Sequence, residues 1–229
     1  FEQGAVYFTD PDAPLPRERR NLGALLHGRL VPPSWGPGND ATADFFAAKG
    51  LLAAVLDTLR VEWTVAAEAE PFLHPGRSAR VITARPPHEP IGWVGELHPL
   101  VARAWDLEGT VAGFEIDLDR AVAHGVAVPY FQDVTSFPPV RLDLAVVVAD
   151  DVAAADAVDA VRAAGGKLLQ DVRVFDVYRG AQVGEGRKSL ALALTFQAPD
   201  RTLSDDDVAP ARKKIVAALT EKVGGELRG

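Results

Sequence analysis

The chain has 229 residues, of which 48% are hydrophobic and 24% are charged, a balance typical of a globular protein rather than a disordered one. Its net charge of −8 argues against a broadly basic protein that binds nucleic acid without specificity. The absence of cysteine excludes disulfides and thiolate metal sites. No apolar run approaches the ~18 residues that a transmembrane helix needs, so we expect no membrane partner. Because the chain begins at Phe1 and contains no methionine, we expect it to be part of a longer polypeptide.

The first 60 residues predict strands followed by one helix. Alternation along residues 1–35 gives five candidate core positions, namely Ala5, Tyr7, Leu22, Ala24 and Leu26. A helix over 42–60, beginning near Asn39 or Asp40, is predicted by apolar residues at three- and four-residue spacings: Phe45, Ala48, Leu52, Val55, Leu56 and Leu59.

Residues 61–117 divide into short strands separated by proline and glycine turns. The predicted strands are 61–67, 78–83, 91–97 and 110–117, with one helix at 99–105. This order predicts a mixed α+β fold with an antiparallel sheet. We expect a first domain over 1–125 and a linker over 126–134, because prolines then force an extended path before the next strand.

The third part of the chain, 135–229, is predicted to form a second domain. It begins with a strand over 141–149 that places Leu142, Leu144 and Val146 on a core face and Arg141 and Asp143 on the other. A helix over 152–164 follows and is expected to end at the glycine pair 165–166.

Two strand-like runs between residues 168 and 196 predict a hairpin with one open face. In the second run Leu190, Leu192, Leu194 and Phe196 alternate with small or polar residues. In the first run we expect Arg173, Phe175 and Val177 on one face and Val174, Asp176 and Tyr178 on the opposite one. The hairpin then displays Asp176, Tyr178 and Ser189 on a face without helices. A tyrosine among small and polar residues suits single-stranded RNA, because a base can stack on its ring.

A final helix over 204–223 and a short strand over 226–228 complete the order βαββαβ. Ser204, followed by three aspartates, is typical of a helix N-terminus. The order is that of the ferredoxin-like plan. From the residues alone, the favoured interpretation is a Tyr178 that only covers a sheet face beside two solvated neighbours.

Four segments of this part carry a family resemblance: FDVYRG, EGRKSLALALTFQ, DRTLSDDDV and the closing LRG. They resemble, in order and at compatible spacing, the ferredoxin-like anticodon-binding domain at the C-terminus of the bacterial phenylalanyl-tRNA synthetase beta subunit. Upstream, FEQGAVYF, FLHPGRSARV, GWVGELHP and FEIDLD are similar to the preceding module of that subunit. In the family this module copies the class II synthetase catalytic fold but has lost catalysis.

The resemblance implies a function and a set of contacts. Asp176, Tyr178 and Ser189 match the family's anticodon-contacting residues. The resemblance also implies that the first module scaffolds the alpha subunit of an α2β2 cytoplasmic enzyme that charges tRNA(Phe) with phenylalanine. ATP and magnesium are then expected to bind elsewhere in that enzyme, so that this fragment has no catalytic residue, cofactor or metal of its own and does not aminoacylate alone.

Other interpretations of the residues remain open beside this one. Three basic residues around the hairpin loop, Arg179, Arg187 and Lys188, either contact RNA phosphates or are merely solvated. His74, Glu96 and His98 could ligate zinc in a hydrolase, although their spacing is not that of a helical metal motif. Arg77 and Ser78 are more typical of a hydrogen-bond network that holds the fold. A ferredoxin-like domain that senses small molecules, without an RNA role, is the alternative function.

Overall fold

The computed structural model describes residues 1–32, 35, 41–68, 70–126 and 137–228. The described residues up to 126 belong to one compact unit, and those from 137 belong to a second. The predicted linker 126–134 lies outside the described residues except for Val126. The predicted helix start near Asn39 or Asp40 is wrong, because residues 41–44 are not helical and the helix begins only at Phe45. None of the described helices is both long and apolar enough to cross a membrane.

The first unit is built on a six-stranded antiparallel sheet in the order β1-β2-β6-β5-β4-β3. Its strands are β1 (Glu2–Phe8), β2 (Arg17–His27), β3 (Trp63–Ala66), β4 (Leu73–Thr83), β5 (Pro90–Leu97) and β6 (Val111–Asp117). Its helices are α1 (Phe45–Thr58), α2 (Pro99–Ala104) and α3 (Leu118–His124). The predicted antiparallel α+β fold is therefore confirmed for this part of the chain.

Helix α1 forms the core of this unit with one face of the sheet. Ala48, Leu52 and Leu56 are fully buried and pack with Val81 and Ile116. The helix begins where the Asp44 carboxylate accepts a hydrogen bond from the Ala47 N–H at 2.8 Å. The predicted apolar stripe of α1 is thus confirmed.

One further prediction for the first unit is wrong, and one helix was missed. Ala5 and Tyr7 are exposed, because β1 is the edge strand of the sheet and these two residues lie outside the core. Helix α3 was not predicted, since a helix of seven residues is too short to show a clear apolar period. Its one local signal is Asp117, whose carboxylate accepts from the Arg120 N–H at 3.0 Å.

The second unit is a four-stranded antiparallel sheet in the order β10-β7-β9-β8 with two helices on one face. Its strands are β7 (Val140–Ala149), β8 (Leu169–Tyr178), β9 (Arg187–Phe196) and β10 (Glu226–Leu227), and its helices are α4 (Ala154–Gly165) and α5 (Asp205–Val223). The element order confirms the predicted βαββαβ plan.

The core of the second unit lies between the sheet and the helices. Leu190, Leu192, Leu194 and Phe196 of β9 are at most 1% exposed. They pack against buried residues of the two helices, namely Ala157, Ala160, Val161, Val208, Ile215 and Leu219. The opposite face of the sheet carries no helix of this unit, and we call it the open sheet face.

Helix α5 begins with a reciprocal cap. The Asp207 carboxylate accepts hydrogen bonds from the Ser204 N–H at 2.8 Å and the Ser204 hydroxyl at 2.7 Å. These bonds, with Arg201 nearby, hold the pKa of the Asp207 carboxyl below its usual range. A carboxylate with a depressed pKa stabilises the folded state above its unfolded pKa, and this contribution is lost as the pH falls through the folded value.

We therefore expect Asp207→Asn to lower the free energy of unfolding near neutral pH. The gap between the parent and the variant should shrink as the pH falls below about 4, the ordinary range of an aspartate. Urea unfolding measured between neutral and acidic pH checks this. Asp206→Asn is the control, because it removes the same charge from the same turn and the structure records no side-chain hydrogen bond for Asp206 among the described residues. A gap that stays constant with pH would contradict the prediction.

Candidate nucleic-acid interface

The open sheet face is set by the register of three strands. Because Leu190, Leu192 and Leu194 point to the helices, the alternate residues of β9 point the other way. β9 pairs with β7 on one side and with β8 on the other. The centre of the open sheet face is therefore formed by the small side chains of Ala145, Ala191 and Ala193, with the exposed Asp143 opposite Ala193.

Strand β8 contains a bulge at Phe175 that changes which residues face outward. Val172 and Val174 pair with Leu194 and Leu192 and so belong to the core face, whereas the next paired residue is Asp176, opposite Ala191. The predicted grouping of Val174 with Asp176 and Tyr178 is therefore wrong. One extra residue in the strand inverts the alternation beyond it. Phe175 itself is 52% exposed.

The three predicted site residues nevertheless lie on the open sheet face. Tyr178 pairs directly with Ser189, and Asp176 lies beside Ala191 in the next row of the sheet. Directly opposite residues have Cβ atoms ~4.5–5.5 Å apart, so the three side chains form one group. One oxygen of Asp176 accepts a hydrogen bond from the Val177 N–H at 2.9 Å. Asp176 is exposed, and its other carboxylate oxygen can accept from a base.

The ring of Tyr178 is held from two sides. A Cβ atom at Gly180 would lie 2.5 Å from the Tyr178 hydroxyl and 2.8 Å from Cζ, so the ring end rests against the backbone of Gly180 and a larger residue there would displace it. The guanidinium carbon of Arg228 lies 5.3 Å from the ring centroid. Tyr178 remains 37% exposed, and this exposed part of the ring is what a base can stack on.

Ser189 is only 4% exposed, although it points to the open sheet face. Tyr178 and Arg228 come from opposite edges of the sheet, and three strand spacings of ~4.8 Å separate β8 from β10. The ring end of Tyr178 rests at Gly180 in the turn after β8, so it is Arg228 that reaches toward the ring from the opposite edge of the sheet. The Ser189 hydroxyl is therefore less accessible to a ligand than the exposed side chains of Asp176 and Tyr178.

The structure separates the three cations predicted near the hairpin loop. Arg179 is exposed and pairs with Asp150 at 2.8 Å. Arg187 pairs with Glu226 at 3.1 Å on the open sheet face. Lys188 lies opposite Val148, on the core face of the sheet, and is only 8% exposed. Its Nζ donates a hydrogen bond to the Asp150 carbonyl at 2.7 Å. Lys188 is thus not brought together with Tyr178.

Comparison with known proteins identifies both parts of the chain. A family model described as the phenylalanyl tRNA synthetase beta chain CLM domain matches residues 1–118. A second, described as the ferredoxin-fold anticodon binding domain, matches residues 135–228. The chain belongs to the phenylalanyl-tRNA synthetase beta chain family. The resemblance seen in the sequence is therefore confirmed.

Curated relatives agree with this assignment over the whole chain. The chain is 38% identical over 231 residues to the phenylalanine–tRNA ligase beta subunit of Lactiplantibacillus plantarum. It is 40% identical over 232 residues to that of Moorella thermoacetica and 39% identical over 229 residues to that of Symbiobacterium thermophilum. Each match covers 100% of this chain and 28%, 28% and 25% of the respective relative. The chain thus spans about a quarter of the length of these relatives.

The polar residues singled out in the first unit form a structural network. One carboxylate oxygen of the buried Glu96 accepts from the Phe45 N–H at 3.0 Å, and the other accepts from Arg77 at 2.9 Å. The bond to Glu96 raises the pKa of Arg77. The Ser78 hydroxyl donates to the His74 carbonyl at 2.9 Å. Glu96 thereby ties β4 and β5 to the beginning of α1, as predicted for Arg77 and Ser78.

The zinc hypothesis finds no support in this geometry. The described residues contain no group of three or more His, Asp or Glu side chains that could hold a metal ion. His74 accepts from the Gly76 N–H through Nδ1 at 3.1 Å, and His98 accepts from the Leu100 N–H through Nδ1 at 3.2 Å. Both imidazoles therefore stabilise turns, His98 at the beginning of α2.

Sequence reasoning missed two residues of the open sheet face, Arg228 and Gln182. Arg228 donates through Nη2 to the Gln182 side-chain oxygen and through its backbone N–H to the Ala145 carbonyl at 2.9 Å. Arg228 lies two residues beyond Glu226 and so shares its side of the strand. The available signal was this spacing, but it becomes informative only once β10 is known to pair with β7.

Proposed function

We propose that this chain is the C-terminal portion of a phenylalanine–tRNA ligase beta subunit whose second unit binds the anticodon region of tRNA(Phe). The observation that carries the proposal is the group of Asp176, Tyr178 and Ser189 on the open sheet face, in a domain of the anticodon-binding family. We assign residues 135–229 to this domain, 1–125 to the catalytically inactive module and 126–134 to the linker.

The chemistry of the open sheet face suits an unpaired nucleotide. A tyrosine ring offers a stacking surface for any base, and the small residues beside it leave room for a flat ring. The Asp176 carboxylate accepts hydrogen bonds, so it favours bases that present an amino or imino group. The alanines at the centre of the face add no charge that a base would have to desolvate.

The remaining parts of the enzyme are proposed from the family. The first unit scaffolds the alpha subunit in an α2β2 assembly of the cytoplasm that charges tRNA(Phe) with phenylalanine. ATP and magnesium bind outside this fragment, which is expected not to aminoacylate tRNA alone. Small-molecule sensing without an RNA role is not favoured, because both units match domains of the synthetase.

The test is the affinity of the assembled enzyme for a labelled anticodon stem-loop. Tyr178→Ala should weaken binding by about 1–3 kcal/mol, because the stacking surface is lost. Tyr178→Phe keeps the ring and should bind nearly as well as the parent. Tyr7→Ala is a matched control, since Tyr7 is 64% exposed on the other unit. If Tyr178→Ala folds normally and binds like the parent, the open sheet face is not the anticodon site.

A further inference from the structure

Of the cations in the described part of the second unit that have no carboxylate partner, Arg228 lies closest to the ring of Tyr178. Arg179 and Arg187 are paired with Asp150 and Glu226, and Lys188 is buried. Among the described residues, no carboxylate lies within ion-pair distance of Arg228, and the Arg228 side chain is exposed. The loop cations predicted from the sequence are therefore less available to RNA than Arg228.

The other unpaired cations of the open sheet face lie too far away. Arg173 is opposite Ala193, four residues along β9 from the row of Tyr178 and Ser189, which is about 13 Å. Arg141 is opposite Thr195, two residues further. A nucleotide that stacks on Tyr178 meets the guanidinium of Arg228 first.

We propose that Arg228 binds the phosphate of the nucleotide whose base stacks on Tyr178, and that Gln182 positions it. This inference rests on the proposed function and adds a residue to the site. A guanidinium has five N–H donors, and Gln182 takes one of the side-chain donors, so several remain for a phosphate. Arginine binds phosphate oxygens through two parallel hydrogen bonds, and this geometry suits a guanidinium held in place by a neighbour.

The geometry over the ring supports a phosphate contact rather than a permanent cover. The guanidinium carbon lies 5.3 Å from the ring centroid, within the ~6 Å range of a cation–π contact, and Tyr178 nevertheless remains 37% exposed. A base can then occupy the uncovered part of the ring. The proposal places the phosphate of this nucleotide, one ribose away from the base, on the side where Arg228 approaches.

The experiment measures the affinity of the assembled enzyme for the anticodon stem-loop over a series of KCl concentrations. A lost phosphate contact reduces the slope of log affinity against log salt by about 0.7 for single-stranded RNA. Arg228→Gln should therefore weaken binding roughly tenfold at low salt and reduce the slope by this amount. Arg228→Lys keeps the charge and should keep the slope. Arg212→Gln, on the exposed side of α5, is the control and should change neither quantity.

The possible results separate this inference from the proposed function. Arg228→Gln with unchanged or tighter binding overturns the inference, because the guanidinium is then a bystander or a competitor for the ring. Weaker binding with an unchanged slope also overturns it, since the contact is then not to a phosphate. Tyr178→Ala should lower the affinity and leave the slope unchanged. If that variant binds like the parent, the proposed function itself fails.

Discussion

Replacing Phe196 by alanine is expected to destabilise the second unit by about 3–5 kcal/mol. Phe196 is fully buried in β9, where it lies between Val140 of β7 and Leu169 of β8. Truncation removes the largest buried side chain of this core and leaves a cavity between sheet and helices. Since a domain is stable by only ~5–15 kcal/mol, the loss is a large fraction of the total. Urea unfolding of the parent and the variant measures it.

Phe175→Ala is the control for Phe196→Ala. Phe175 lies on the neighbouring strand but is 52% exposed at the bulge, so its removal should cost less than about 1 kcal/mol. If Phe196→Ala also lowered the free energy of unfolding by less than about 1 kcal/mol, the prediction would be wrong, because the core would then collapse around the missing ring. Because the open sheet face is built on the other side of β9, RNA binding should fall together with the folded fraction in Phe196→Ala.

Gly92→Ala is expected to destabilise the first unit by up to about 3 kcal/mol. A Cβ atom at Gly92 would overlap the Glu115 carbonyl oxygen and lie 2.8 Å from the Ile116 Cα. These are backbone atoms of the paired strand β6, so no side chain can rotate away to make room. The two strands would have to separate at the centre of the sheet. Thermal and urea unfolding check the result.

Gly4→Ala provides the same chemical change in an open position. No atom lies within 4 Å of a Cβ built at Gly4, which belongs to the edge strand β1. The added methyl group restricts the unfolded chain, so this variant should be neutral or slightly more stable than the parent. Equal effects of the two substitutions would contradict the role assigned to the close approach of β5 and β6.

The open sheet face gives the proposed anticodon contacts a rigid basis. Tyr178 and Ser189 are fixed by a paired row of two strands, and the helices on the other side fix the sheet. Arg228 directly follows the short edge strand β10 and Gln182 lies in the turn between β8 and β9, where adjustment to a ligand is easiest. This division assigns base stacking to the rigid part of the face and phosphate binding to its adaptable edge.

Much of the fold follows from local patterns. The apolar period of α1, the alternation of β9 and the serine and aspartates where α5 begins each predicted an element that the structure contains. These patterns are reliable because a buried face imposes its own period on the sequence. The resemblance extended the prediction to the family, which the comparisons confirm.

Other features could not be predicted from local patterns. The bulge at Phe175 inverts the alternation of β8, and no glycine or proline in that strand marks it. Lys188 looked like a loop cation, yet the register of β9 places it on the core face and buries it. Tyr7 has the spacing of a core residue but lies in an edge strand.

The sequence by itself determined the element order of the second unit, the apolar faces of α1 and β9, and the presence of a tyrosine, an aspartate and a serine on one sheet face. Strand pairing alone decided which distant residues join them. Arg228 is 50 residues from Tyr178, and the two meet only because β10 and β8 flank the same pair of central strands. Local periodicity reports burial, whereas contacts across a sheet depend on strand order and register, and these are properties of the packed sheet as a whole.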